Sequence, residues 1–195
     1  MSVDKKEYPY GCTTIREKDL EKEYIFQLCD LVKKDIKSSK NIEDELDRFF
    51  KAAKAAKDSN VWALLGGVDN NNSWICLQVG SAGNIVPEIK SAITCMLSLR
   101  GDKEWYGYFN KEMSLFKANY GLDVACQKYE SMYKRFDVFK FILIDHEQYL
   151  SSCQIDHKDK IRYAETKFAH YSKALYWNPC GIEYSYLMEL ENQQN

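Results

Sequence analysis

Proline and glycine are scarce, three and nine of 195 residues, too few for a collagen-like, linker-rich or low-complexity chain. Cysteine is present but never closely paired. Its seven positions (Cys12, Cys29, Cys76, Cys95, Cys126, Cys153, Cys180) all lie more than four residues apart. That excludes CxxC redox and zinc spacings and reads as a reduced, mostly buried set, not a disulfide framework. No run approaches the roughly 18 apolar residues that span a bilayer, and the opening MSVDKKEYPYG lacks the apolar core of a signal peptide. The sequence therefore predicts a soluble cytoplasmic protein with no membrane partner. Neither sign of charge dominates: 27 Lys and Arg stand against 29 Asp and Glu, and the stretches before and after Asp58 are each nearly balanced. A nonspecific, polycationic nucleic-acid binder is disfavoured on that count. Walker phosphate loops, dinucleotide-fold glycine patterns, HExxH, GxSxG and EF-hand loops are all absent. His146, His157 and His170 are too dispersed to form a local metal site.

What is present is apolar and aromatic. Hydrophobic residues make up 45% of the chain, enough for a true core, and there are 14 tyrosines. Over residues 16–36 the positions Leu20, Tyr24, Leu28, Leu31 and Val32 recur at helical intervals, which predicts an amphipathic helix. A second helix is expected over 42–57, with Asn41 as cap and Leu46, Phe49, Ala53 and Ala56 as its stripe. The two would make an N-terminal helical hairpin, an extension over residues 1–58 that packs on the rest because it buries too little surface alone.

Beyond residue 58 the pattern changes. Val61 to Leu65 and Ser73 to Val79 are short β-type runs separated by an Asp-Asn-Asn-Asn cluster, the signature of an antiparallel hairpin. Ser81 to Asn84 reads as a loop feeding a helix whose stripe is Ile85, Ile89, Ile93, Met96 and Leu97. Residues 102–136 read as a helical insertion, and FKFILI at 139–144 as the third, central strand of the sheet. A final helix is expected over 156–177, with Ile161, Ala164, Phe168, Tyr171 and Leu175 facing inward and Asn178-Pro179 ending it. The expected fold is thus α+β, a small sheet with an antiparallel hairpin flanked by helices, its core domain spanning 59–195.

Glu165 falls at the border of that last stripe. A carboxylate there is a metal ligand or a general base, or else the i−3 partner of Arg162 in an ordinary helix salt bridge.

The order of these pieces resembles the GIY-YIG nuclease domain over residues 60–179, with 102–136 as an insertion. Asn60-Val61-Trp62 stands where the first tripeptide would be, Gln78-Val79-Gly80 at the second, and Gly83-Asn84-Ile85 at the following loop. Glu165 matches the family's metal-binding glutamate and Asn178 its late asparagine. The resemblance implies one Mg²⁺ or Mn²⁺ on Glu165, with Trp62, Gln78, Lys90 and Asn178 as further catalytic positions and nucleic acid as partner. The chain departs from the family's chemistry at three points. Trp62 and Gln78 replace the two tyrosines that activate water, and Glu88 stands at the position of the phosphate-clamping arginine, leaving Lys90 or Arg100 to substitute. Three functional readings follow. The favoured one is a nuclease-like fold whose activity is lost or much altered and which serves a nucleic-acid or protein interaction. The others are an active metal-dependent endonuclease and an unrelated α+β protein-interaction module with tyrosine-rich contact surfaces.

Overall fold

The β-type runs find one another across the chain. The computed structural model describes residues 14–32, 47–48, 51–52, 59–68, 72–89, 92, 132, 136–153 and 157–175. Its elements are β1 (Thr14–Arg16), a 3-10 turn (Glu17–Asp19), β2 (Ile25–Val32), β3 (Ser59–Val68), β4 (Ser73–Ser81), β5 (Val138–Asp145), α1 (His146–Tyr149) and α2 (His157–Ser172). The strands form one five-stranded sheet in the order β1-β4-β3-β5-β2, with every pairing antiparallel. The class is a small α+β fold. The expected hairpin is β3–β4, and FKFILI lies in β5, paired along β3. The middle of the sheet belongs to β3, because β2 occupies the outer side of β5.

The N-terminal expectation needs correction. Of the helix expected over 16–36, the described part, 16–32, is instead the end of β1, the 3-10 turn and β2; residues 33–36 lie outside the described residues. Helical spacing of Leu20, Tyr24 and Leu28 coexists here with a β-rich stretch, Tyr24 to Val32, and the free side of β5 decides between them. Pairing to β5 satisfies the backbone and buries Leu28, so tertiary context overrides the local period. A bulge between Gln27 and Asp30 shifts the register of β2 against β5. Residues 47–48 and 51–52 are helical; the rest of the second expected helix lies outside the described residues. β1 and β2 lie in the same sheet as β3 to β5. The 102–136 insertion also lies outside the described residues, except for Met132 and Phe136, both buried.

Alternation along β3 divides the core between two faces. Val61, Ala63 and Leu65 join Trp74, Cys76, Val79, Ile142 and Ile144 beneath Tyr163, Ala164, Phe168 and Ala169 of α2. Trp62, Leu64 and Gly66 turn the other way, where Trp62 meets Phe141 at 6.0 Å between ring centroids and the Phe136 ring covers Gly66. A second bulge pairs Leu64 with Gln78 and Leu65 with Cys76, leaving Leu77 as the extra residue. Cys76 and Val79 therefore share the α2 face although three positions apart.

Helix α2 ends at Ser172, short of the expected stop at Asn178-Pro179. Lys173 takes a positive φ of 47°, the Lys173 N–H donates to His170 O, and the Ala174 N–H donates to Ala169 O. This is a Schellman closure with lysine at the left-handed position. The next N–H, of Leu175, donates to Cys76 O of β4 at 3.1 Å, so the helix stops where the chain can join the sheet. The inward stripe is also rotated from expectation. Ala164 and Phe168 are buried as anticipated, but Tyr171 is 63% exposed, and Glu165, Ala169 and Ser172 are buried instead. Small residues at 164, 169 and 172 let the helix approach β3 and β4 closely. Among the described residues no helix is long and apolar enough to cross a membrane.

Candidate functional site

Glu165 is 6% exposed and accepts a hydrogen bond from the Ser81 hydroxyl at 2.5 Å. Ser81 ends β4 opposite Val61, so its side chain lies on the face that α2 covers. Nearby, the Asn60 amide donates to Ala82 O at 3.0 Å and Gly83 O at 3.3 Å. Asn84 Oδ1 accepts from the Val86 N–H, capping the helical residues 85–89, in which Glu88 is exposed. The loop-to-helix step read in the sequence is therefore built from asparagine side chains.

Trp62 and Gln78 stand on the opposite face. Trp62 is 2% exposed and its indole lies across Gly80, where a Cβ would sit 2.8 Å from the ring. Its Nε1 finds no hydrogen-bond acceptor among the described residues. Gln78 opposes Leu64, on the Trp62 side. The sheet thus separates Trp62 and Gln78 from Glu165. Lys90 and Asn178 lie outside the described residues. Glu165 and Ser81 together offer a divalent ion one carboxylate and one hydroxyl, and among the described residues no three His, Cys, Asp or Glu side chains gather. An ion held there would draw most of its ligands from phosphate and water.

Two constellations emerge that the sequence reading did not single out. The first centres on Lys140, 7% exposed at its side chain. Its ammonium lies 2.7 Å from Glu17 Oε1, 2.9 Å from Gln27 Oε1 and 3.5 Å from Asp30 Oδ1. It also sits 4.6 Å from the Trp74 ring centroid. Trp74 Nε1 donates to the second oxygen of Glu17. A buried ammonium needs this degree of satisfaction, and the network fastens the 3-10 turn to the sheet. Burial pushes the Asp30 carboxyl above its ordinary range, outweighing the opposing pull of Lys140. A lone lysine inside FKFILI was the available signal.

The second is a chain of rings across α1 and α2. Tyr24 meets Tyr149 at 5.0 Å, Tyr149 meets Phe168 at 6.1 Å, and Phe168 meets Tyr171 at 6.2 Å. Lys167 Nζ lies 5.9 Å from the centroids of both Tyr149 and Tyr163. Burial pushes the Tyr24 phenol up, and Tyr171 and Asp19 add to the shift. Phe168 anchors the chain in the core and Tyr171 projects from it.

No family model matches the chain, and no curated protein or solved structure is significantly similar to it.

Proposed function

We propose that the protein is a non-catalytic protein-interaction module whose contact surface is the Tyr24–Tyr149–Tyr171 side of α1 and α2. The observation that carries this reading is Tyr171. A large aromatic side chain, 63% exposed, extends a stack of rings rooted in a buried phenylalanine, and rigid amphipathic area of this kind is enriched where proteins dock. The nuclease-like layout is then a scaffold, and its activity is lost or much altered. Supporting this, Glu165 is engaged by Ser81, and the sheet stands between it and Trp62 and Gln78.

A photo-crosslinking residue placed at Tyr171, compared with one at the exposed Glu88, tests the surface in cells. The expected outcome is a discrete protein adduct from position 171 that is lost with Tyr24→Ala, and none from position 88. In parallel, plasmid nicking in Mg²⁺ or Mn²⁺ should stay at background. Cleavage that disappears in Glu165→Ala, or equal labelling from both positions, would overturn the reading.

A further inference from the structure

Lys167 does more than stack on tyrosines, because its ammonium also meets a sulfur. Lys167 Nζ lies 3.7 Å from Cys153 Sγ, a few tenths of an ångström beyond the roughly 3–3.5 Å of a near-attack arrangement. The amine is placed by the faces of Tyr149 and Tyr163. The sulfur is placed by the turn after α1, where the Cys153 N–H donates to Leu150 O at 2.9 Å. Cys153 is only partly buried, whereas Cys76 is fully buried. Burial pushes the Cys76 thiol up to about 12, so it is chemically silent in the folded protein. Of these two described cysteines, Cys76 is sealed, whereas Cys153 is partly exposed and has the Lys167 nitrogen beside it.

We propose that Cys153 and Lys167 form a redox-sensitive pair that hydrogen peroxide joins through a covalent S–N bond. In the first step the Cys153 sulfur attacks one peroxide oxygen. The S–O bond forms, the O–O bond breaks, and the departing hydroxide leaves as water with the thiol proton. Sulfur is oxidised by two electrons and peroxide is reduced. In the second step the Lys167 amine, having released its ammonium proton to solvent, attacks the sulfenic sulfur. The S–N bond forms, the S–O bond breaks, and hydroxide leaves as water with a proton from nitrogen. This step needs no further oxidant. The product ties the α1–α2 connection to the middle of α2 and draws Nζ off the two tyrosine rings. The pair stands on its own geometry, whatever the Tyr171 surface binds.

The full-length protein is treated with hydrogen peroxide and digested with trypsin without reductant. Mass spectrometry should find the Cys153 peptide, 141–158, joined to the cysteine-free peptide 163–173 left uncut at Lys167, lighter by two hydrogens than their sum, and released by dithiothreitol. In Lys167→Arg the sulfenic acid has no amine to trap it, so dimedone labelling of Cys153 should rise several-fold over wild type. In Cys153→Ser both signals should vanish. The proposal is overturned if wild-type Cys153 ends as sulfinic acid or as a disulfide with another cysteine and no joined pair is found. Equal dimedone labelling of wild type and Lys167→Arg would overturn it too. The wild-type peptide map decides the matter even if a variant fails to fold.

Discussion

The two faces of the sheet solve different problems. The face bearing Trp62, Leu64 and Phe141 is held by shape: Trp62 lies on Gly80, and Phe136 fits where Gly66 lacks a side chain. The face under α2 is also apolar but accommodates polar groups at both ends. Lys140 with Glu17, Gln27 and Asp30 lies at one end, and Ser81 with Glu165 at the other. Disturbing the first face should cause steric losses that hardly change with pH. Disturbing the second should cause smaller losses that follow charge. Where a residue lies relative to β3 therefore predicts what kind of damage its replacement does.

The largest effect is expected on the shape-held face. Trp62→Ala removes a ring that is 2% exposed and should cost about 3–5 kcal/mol in urea unfolding. The loss should be the same at acid and neutral pH; a loss that varies strongly with pH would break the comparison. Gly80→Ala sets a methyl group 2.8 Å from the Trp62 ring and should cost about 1–3 kcal/mol through overpacking. If Gly80→Ala is neutral, Trp62 has room to move and shape is not what holds that face.

On the polar face, Lys140→Ala should cost less, about 1–2 kcal/mol. It strands Glu17 and Asp30, but these are 39% and 36% exposed at their side chains and water recovers part of the loss. Lys140→Met keeps the apolar stem over Trp74 and should be milder than alanine. If methionine is the worse of the two, the ammonium and not the stem carries the contribution.

How much of this was legible depended on whether one local period was decisive. The β3–β4 hairpin and FKFILI were legible because their runs are short, apolar and bounded by turn residues, so no helix competes for them. The stretch from Leu20 to Val32 fits a helical stripe and a strand about equally well. The outer side of β5 settles it, and that side exists only once the sheet has formed. The face of α2 is partly legible: its periodicity turns Ala164 and Phe168 inward, where they lie, but turns Tyr171 inward too, because hydrophobic periodicity gives small residues little weight. Ala169 and Ser172 face the sheet because they are small. Glu165 was recognised from its border position, whereas its partner Ser81 was hidden by the Leu77 bulge, which resets the alternation of β4. The separation of Trp62 and Gln78 from Glu165 follows from that alternation and from which face α2 covers, and the second is a tertiary fact.

The smallest effect gives the sharpest test of sign. Asp30 is more than a third exposed at its side chain, yet burial raises its carboxyl above the ordinary carboxylate value despite Lys140 beside it. A carboxyl raised on folding binds its proton more tightly in the native state than in the unfolded chain. Its contribution to stability is therefore fully present below the unfolded value and lost as pH climbs through the folded one. At neutral pH the wild-type protein carries an ionised Asp30 that the fold disfavours. Asp30→Asn is always neutral and still accepts from Lys140. Relative to wild type it should gain stability as pH rises from about 3 through the carboxylate range, then hold level. Given solvent screening at this exposure, the gain should be no more than about 0.5 kcal/mol, read as a difference in urea midpoints across that range. A gap that narrows with rising pH would mean that attraction to Lys140 outweighs desolvation. The polar face would then be stabilised by its charges at neutral pH and not merely tolerate them.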